Sequence, residues 1–249
     1  MELTGKVVLI TGGAVRIGRG LVEDLVRLGC RVAFTYHRSR VEAEELARRL
    51  GAETGQDVLA LSYDARRVQE APALVERLCA HWGRIDVLVL NAARFYRTPW
   101  DALSEAQWDE LLEINLKGPF FLAQAAARQM RLQEPDPNGI RGKIVAISDV
   151  AAELVWRSYL PYQISKAGLN LMVRVLARNL APSITVNAVA LSTILPEPGR
   201  SVSPEAFAQD IPLGRPGRIE EVAHAVRFLL ENDFVTGHVL HLDGGRMLR

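Results

Sequence analysis

The sequence predicts an α/β protein built as one doubly wound domain, with a mainly parallel seven-stranded sheet and helices on both faces. Three observations lead there. Short β-branched runs alternate with amphipathic helical stretches from one end of the chain to the other. A glycine-rich turn joins the first strand to the first helix, the junction at which such sheets receive a ligand. A length of 249 residues, 49% apolar and 24% charged, suits one large buried core.

The strands are predicted over Lys6–Thr11, Arg31–Thr35, Asp57–Ser62, Ile85–Asn91, Lys143–Ser148, Thr185–Ala190 and His238–Leu242. Helices fill the gaps. Ser104 followed by Gln107, and Ser39 followed by Glu42, are capping-box patterns that open two of them. Pro135-Asp-Pro-Asn-Gly139 reads as a turn between a long helix and the fifth strand. Pro196 to Pro212 breaks the alternation, and a substrate flap is expected at about 192–212. The chain 1–249 is read as a single domain without internal repeats.

A formal net charge of +1 demands no polyanionic partner, so neither nucleic acid nor an acidic membrane surface is expected despite the many arginines. The N-terminus lacks a signal-peptide pattern, and no stretch is apolar for long enough to cross a bilayer. Cys30 and Cys79 have no metal-ligand or redox spacing and are expected in buried elements as small core residues. A cytoplasmic setting and no metal site follow.

After Thr11 come Gly12, Gly13, Ala14, Val15, Arg16, Ile17 and Gly18. Glycines here let backbone N–H groups and a helix N-terminus approach a pyrophosphate, although a tight turn without a ligand also needs them. Arg16 in the first helical turn opposes the helix dipole unless an anion lies near or the side chain curls away into solvent. About twenty residues after Gly18, an NAD-selective site would carry Asp or Glu at the end of the second strand. Tyr36, His37, Arg38 and Ser39 stand there instead. Arg38 can pair with a 2′-phosphate and Ser39 can open the adjoining helix beside it, so NADPH is the expected cofactor; a solvated Arg38 and a plain cap at Ser39 are the bland alternative. Asp64, ending the third strand, can accept a bond from the adenine amine or serve as an ordinary turn residue.

Tyr162 and Lys166 lie four apart in a predicted helix, hence on one face. A phenol is a weak acid near neutrality, and a nearby ammonium strengthens it. The pair is common by chance, and context gives it meaning.

That context resembles the short-chain dehydrogenase/reductase family over essentially the whole length. The likeness runs through Thr11-Gly12 to Gly18, Asn91-Ala92, Asn115, the Tyr162 and Lys166 pair, Val186-Asn187 and Asp243-Gly244-Gly245. It implies a Rossmann-type fold, Tyr162 as proton donor, and Lys166 lowering its pKa and holding the nicotinamide ribose. It further implies Asn115 as anchor of a relay water, and Asn91 and Ala92 on the cofactor side of the central strand. Backbone near Ile194 is expected to face the carboxamide, although Leu191-Ser192 replaces the usual Pro-Gly.

The family's usual Ser, thirteen residues before the Tyr, is Asp149 here. This looks like the pteridine reductase branch, including the dihydromonapterin reductases, and Arg16, His37-Arg38-Ser39, Phe95, Tyr159 and the ending Arg246-Met-Leu-Arg249 agree. The resemblance implies a pterin or folate substrate touching Arg16, Phe95, Asp149, Tyr159 and Tyr162. Asp149 can act as a carboxylate acceptor or, if buried, as an acid. Alternatives are a carbonyl or 3-oxoacyl thioester reductase and a non-catalytic dinucleotide-binding protein. Long apolar helices over Asn115–Met130 and Ser158–Leu180 point to burial against a second subunit, and the resemblance implies a homo-oligomer, tetramer before dimer, in which Arg246 or Arg249 can reach a neighbour's substrate pocket.

Overall fold

In the computed structural model, which describes residues 1–194 and 210–248, seven strands form one all-parallel sheet in the order β3-β2-β1-β4-β5-β6-β7. They are β1 (Val7–Ile10), β2 (Arg31–Tyr36), β3 (Val58–Ser62), β4 (Val87–Leu90), β5 (Gly142–Asp149), β6 (Ile184–Leu191) and β7 (Val239–Leu242). Each coincides with a predicted strand. Most of the predicted 192–212 flap lies outside the described residues.

Alternation along the strands sorts the core into two layers. Leu9, Leu88, Ile144 and Val186 face one side and pack on α3 (Ala71–Trp82), α5 (Gly118–Arg131) and α6 (Leu160–Leu180). Ile10, Phe34, Val89 and Ile147 face the other and pack on α1 (Arg16–Arg27), α2 (Arg40–Thr54) and α7 (Ile219–Glu231). Both faces are covered, which explains why the central strands read as unbroken apolar runs.

A further helix, α4 (Glu105–Leu112), opens on the expected capping box: Ser104 accepts from the Gln107 N–H, and Gln107 accepts from the Ser104 N–H. A π-turn over Glu113–Lys117 joins it to α5. The Ser39 box does not form, because Ser39 has φ −87° and ψ 59° and its side chain makes no cap bond to α2. The Pro135–Gly139 turn does form, closed by Asp136 Oδ1, which accepts from the Asn138 and Ile140 N–H groups. Cys30 is buried as expected, whereas Cys79 is only half-buried, since its position on α3 turns it toward the rim of the core.

Strand order reverses between β1 and β4. This is the switch point at whose carboxyl ends a crevice opens, because successive connections leave in opposite directions there.

Candidate active site

The glycine turn is held at that crevice by a compact set of bonds. The Thr11 hydroxyl accepts from the N–H groups of Asn91 and Ala92 at 2.9 and 3.0 Å. Asn91 Nδ2 donates to the carbonyls of Thr11 and Gly12, at 2.9 and 3.0 Å. A Cβ at Gly18 would stand 2.1 Å from the Gly12 oxygen and 2.6 Å from Asn91 Nδ2, so only glycine lets the first turn of α1 close on the loop. Gly12 itself has φ +65°. Arg16 is exposed and opens α1 with φ +54°, a left-handed conformation that turns the chain into the helix. Ile17 is partly buried against the α1–α2–α7 layer.

Beside the turn lies a cleft of about 320 Å³ whose lining includes Gly12, His37, Arg38, Ser39, Asp64 and Ala92. Arg38 is exposed and makes no ion pair among the described residues, and the Ser39 hydroxyl is not spent on its helix. Both can meet an added phosphate. Asp64 is committed instead: Arg66 clasps it from 2.7 Å, and that bond holds its carboxyl down at about 2. His37 Nε2 stands 3.6 Å from the same carboxylate. Arg66, Arg94 and Glu110 also line the cleft, and sequence spacing gave no hint of them. These residues fit the adenosine end of a dinucleotide.

The second cluster stands where β5 ends. Pro161 occupies the first turn of α6, where its missing N–H costs nothing. The helix then places Tyr162, 5% exposed, and Lys166 beneath the end of β5. The Tyr162 hydroxyl donates to Asp149 Oδ2 at 2.7 Å, and Asp149 Oδ1 accepts from the Ala151 N–H. Burial pushes the Asp149 carboxyl above its usual range, against the opposing bonds from Tyr162 and Ala151. Burial, with the adjacent Asp149 charge, also pushes the Tyr162 hydroxyl well above a normal phenol. Lys166 is pulled down to about 8 by burial, with Asp149 acting the other way.

Two expectations change here. Lys166 does not make Tyr162 more acidic in this arrangement, because its Nζ donates to the Ile147 carbonyl at 2.9 Å and stands 5.8 Å from the Tyr162 ring centre, while Asp149 holds the hydroxyl. Asn115, buried in the π-turn, spends both amide N–H groups on the Arg94 carbonyl and Ser165 Oγ, and its Oδ1 accepts from the Arg94 N–H. Its side chain therefore ties the loop after β4 to α6 and has no N–H left for a water. Its main-chain carbonyl would find Pro119, which has no N–H, at the α-helical partner position.

Phe95, 44% exposed, lies edge-on to Tyr162 at 4.7 Å and stacks on Tyr159 at 4.9 Å with planes 3° apart. Trp156 continues this wall, edge-on to Tyr159 at 6.0 Å. Arg246 caps it, with its guanidinium 5.2 Å from the Trp156 ring centre. Arg246 thus reaches the aromatic wall of its own subunit, because the Asp243-Gly-Gly turn after β7 folds back over the end of β6; Arg249 lies outside the described residues. Ile194 is buried against Gly217, and Ser192 is tied to β7 through the Leu242 carbonyl. Among the described residues, no three His, Cys, Asp or Glu side chains gather where they could hold a metal, and no helix is long and apolar enough to cross a membrane.

A nucleotide-sized cleft at the switch point and a Tyr–Lys–Asp cluster at the end of the neighbouring strand β5 fit an oxidoreductase working with a dinucleotide. Residues 12–246 match the family model described as Enoyl-(Acyl carrier protein) reductase. The chain belongs to the short-chain dehydrogenase/reductase family, whose members use a nicotinamide cofactor. It is 32% identical over 251 residues to the 3-oxoacyl-[acyl-carrier-protein] reductase FabG of Staphylococcus aureus, covering 98% of this chain and 99% of that protein. Similarity of 30% over 256 residues links it to the 2-dehydro-3-deoxy-D-gluconate 5-dehydrogenase of Escherichia coli, covering 100% and 98%. Among solved structures, a gluconate 5-dehydrogenase from Burkholderia cenocepacia in complex with NADP and tartrate superposes with a TM-score of 0.88 at 30% identity, covering 99% and 96%.

Proposed function

We propose that this protein is an NADPH-dependent reductase acting on the C=N bond of a dihydropterin or dihydrofolate. The observation that carries the reading is the Asp149 carboxyl hydrogen-bonded to the Tyr162 hydroxyl at 2.7 Å, with the exposed Phe95 ring beside them. A flat heterocycle with donors and acceptors on its edge suits that pairing of a carboxyl with an aromatic face.

NADPH supplies the hydride when bound. Tyr162 and Asp149 supply the proton that the ring nitrogen takes up as its neighbouring carbon is reduced. Burial favours the protonated form of each, which matches a donor in the reducing direction. Lys166, anchored on the Ile147 carbonyl, is placed to orient the nicotinamide ribose. Preference for the 2′-phosphate is supported by Arg38, which has no carboxylate partner among the described residues, and by the uncapped Ser39.

The relatives favour a second reading, reduction of a 3-oxoacyl thioester or another carbonyl, and none of those named above is called a pterin reductase. The same Tyr162 proton would then pass to a carbonyl oxygen. Steady-state turnover of NADPH on dihydrobiopterin, dihydrofolate and a 3-oxoacyl thioester separates the two. Faster turnover on the thioester than on dihydrobiopterin rejects the pterin reading, and none on any substrate would favour a non-catalytic dinucleotide-binding protein. Exposed apolar side chains on the outer faces of α5 and α6, including Phe121, Leu171 and Val175, support a homo-oligomer, a tetramer before a dimer. A cytoplasmic location is part of the same proposal.

A further inference from the structure

Arg246 is held by long contacts only, as are Arg94, Arg218 and Arg227, but of these four its side chain is the least exposed and it alone stands against an aromatic ring of the Tyr162 cluster's wall. Arg66, Arg84 and Arg215 grip their carboxylates at 2.7, 2.7 and 2.6 Å. Arg246 reaches Ser192 Oγ at 3.4 Å, Thr193 Oγ1 at 3.5 Å and Asp210 Oδ2 at 3.4 Å, all longer than a charge-assisted hydrogen bond. Its side chain is nevertheless only 19% exposed, while the Asp210 carboxylate is 66% exposed and so a weak partner. A guanidinium withdrawn from water without one short acceptor among the described residues is costly, and the face of Trp156 offsets only part of that cost.

Its location says what kind of acceptor it can take. Tyr162, Phe95, Tyr159 and Trp156 form a continuous aromatic wall; Arg246 stands against Trp156, its last ring, and its charge also reaches the Asp149 carboxyl. The nucleotide cleft lies at the β1–β4 end of the sheet, three strands from β7, so a cofactor phosphate belongs elsewhere. We infer that Arg246 is a specificity-determining residue that binds a carboxylate or phosphate carried on the substrate's tail while the reducible bond sits at Tyr162. The inference rests on the reductase reading, but not on the choice between pterin and thioester.

Two substrate pairs distinguish the sources of the anion. Dihydrofolate carries glutamate carboxylates that dihydrobiopterin lacks, and a 3-oxoacyl-coenzyme A carries phosphates that the same acyl group on N-acetylcysteamine lacks. Wild-type enzyme is expected to favour the anionic member of the pair it turns over. In Arg246→Gln that ratio of kcat/KM values should fall by about tenfold to a hundredfold, the worth of one hydrogen bond to a charged group, mainly through KM. Arg246→Lys should retain part of it, and Asp210→Asn, which removes the competing carboxylate, should move the ratio the other way. NADPH affinity and circular dichroism establish that the variants fold, and Asp210→Asn keeps the test open if Arg246→Gln does not. An equal ratio in wild type and Arg246→Gln overturns the inference while leaving the reductase reading intact. Turnover of neither pair overturns both.

Discussion

Tyr162 donates to Asp149 across 2.7 Å, and burial moves both groups toward their protonated forms. Two coupled acids in contact titrate as a pair, so the proton delivered to substrate belongs to the two together. The phenol is still the member whose Phe substitution leaves the wall of aromatic rings unchanged. Tyr162→Phe should lower kcat by at least about a hundredfold, the lower range for a lost acid–base group, while NADPH binding survives. Unaltered turnover in that variant would assign the proton to Asp149 alone.

Asp149 also sets how alkaline the enzyme can work. Lys166 is held down to about 8 by burial, and Asp149 opposes that shift. Below this value the side chain is an ammonium; as pH rises through it the charge is lost, and activity that needs the cation falls. Replacing the carboxylate by an amide removes the opposing charge, so the Lys166 value drops further and the alkaline limb of kcat/KM in Asp149→Asn should move to lower pH. A limb that stays in place, or moves up, contradicts this coupling.

The pterin reading makes its own demand on the same position. Asp149→Ser should impair pterin reduction more than reduction of a simple ketone, since the carboxyl is assigned to the heterocycle edge and Tyr162 serves both. Equal losses on the two substrates would remove the reason for placing a pterin here.

Legibility followed the range of the interactions. All seven strands were readable because a sheet covered on both faces leaves continuous apolar runs, and the Tyr162–Lys166 spacing was readable because one helical turn joins them. The Ser39 box failed because the backbone at Ser39 does not adopt the extended cap geometry that Ser104 has. What Asn115, Lys166 and Arg246 bond to was not readable, since each partner lies on another element: Arg94, Ile147 and Trp156 come together only after the sheet forms. Local pattern thus located the reacting end, and tertiary contact decided which group holds which proton.

The proposed preference for NADPH rests on Arg38. It lies in the nucleotide cleft with no ion pair among the described residues, whereas Arg66 nearby is consumed by Asp64. Arg38→Ala should erode the preference for NADPH over NADH by about tenfold or more, the value of one charge-assisted contact, with kcat on NADPH less affected than KM. An intact ratio of the two efficiencies would place the phosphate site elsewhere.

Away from the cleft, Lys143 is fully buried in β5 and bonds Asp233 Oδ1 and the Asn232 carbonyl, each at 2.6 Å. Burial opposes ionisation of Asp233, but bonds from Lys143, the Met1 amine and Asn138 outweigh it and hold the carboxyl below the usual range. Asp233→Ala leaves the Lys143 ammonium without its counter-charge and should cost about 3 kcal/mol, lowering Tm by roughly 8 °C for a chain of this size. Adding Lys143→Met should recover most of the loss, because the stranded charge is then gone. In the wild type the depressed carboxyl stabilises the fold above the ordinary Asp pKa, and that contribution fades as pH falls below it toward the lower folded-state value. The Tm difference between wild type and Asp233→Ala should therefore narrow on acidification. A difference that is absent at neutral pH, or that widens in acid, would mean the ion pair does not support the fold.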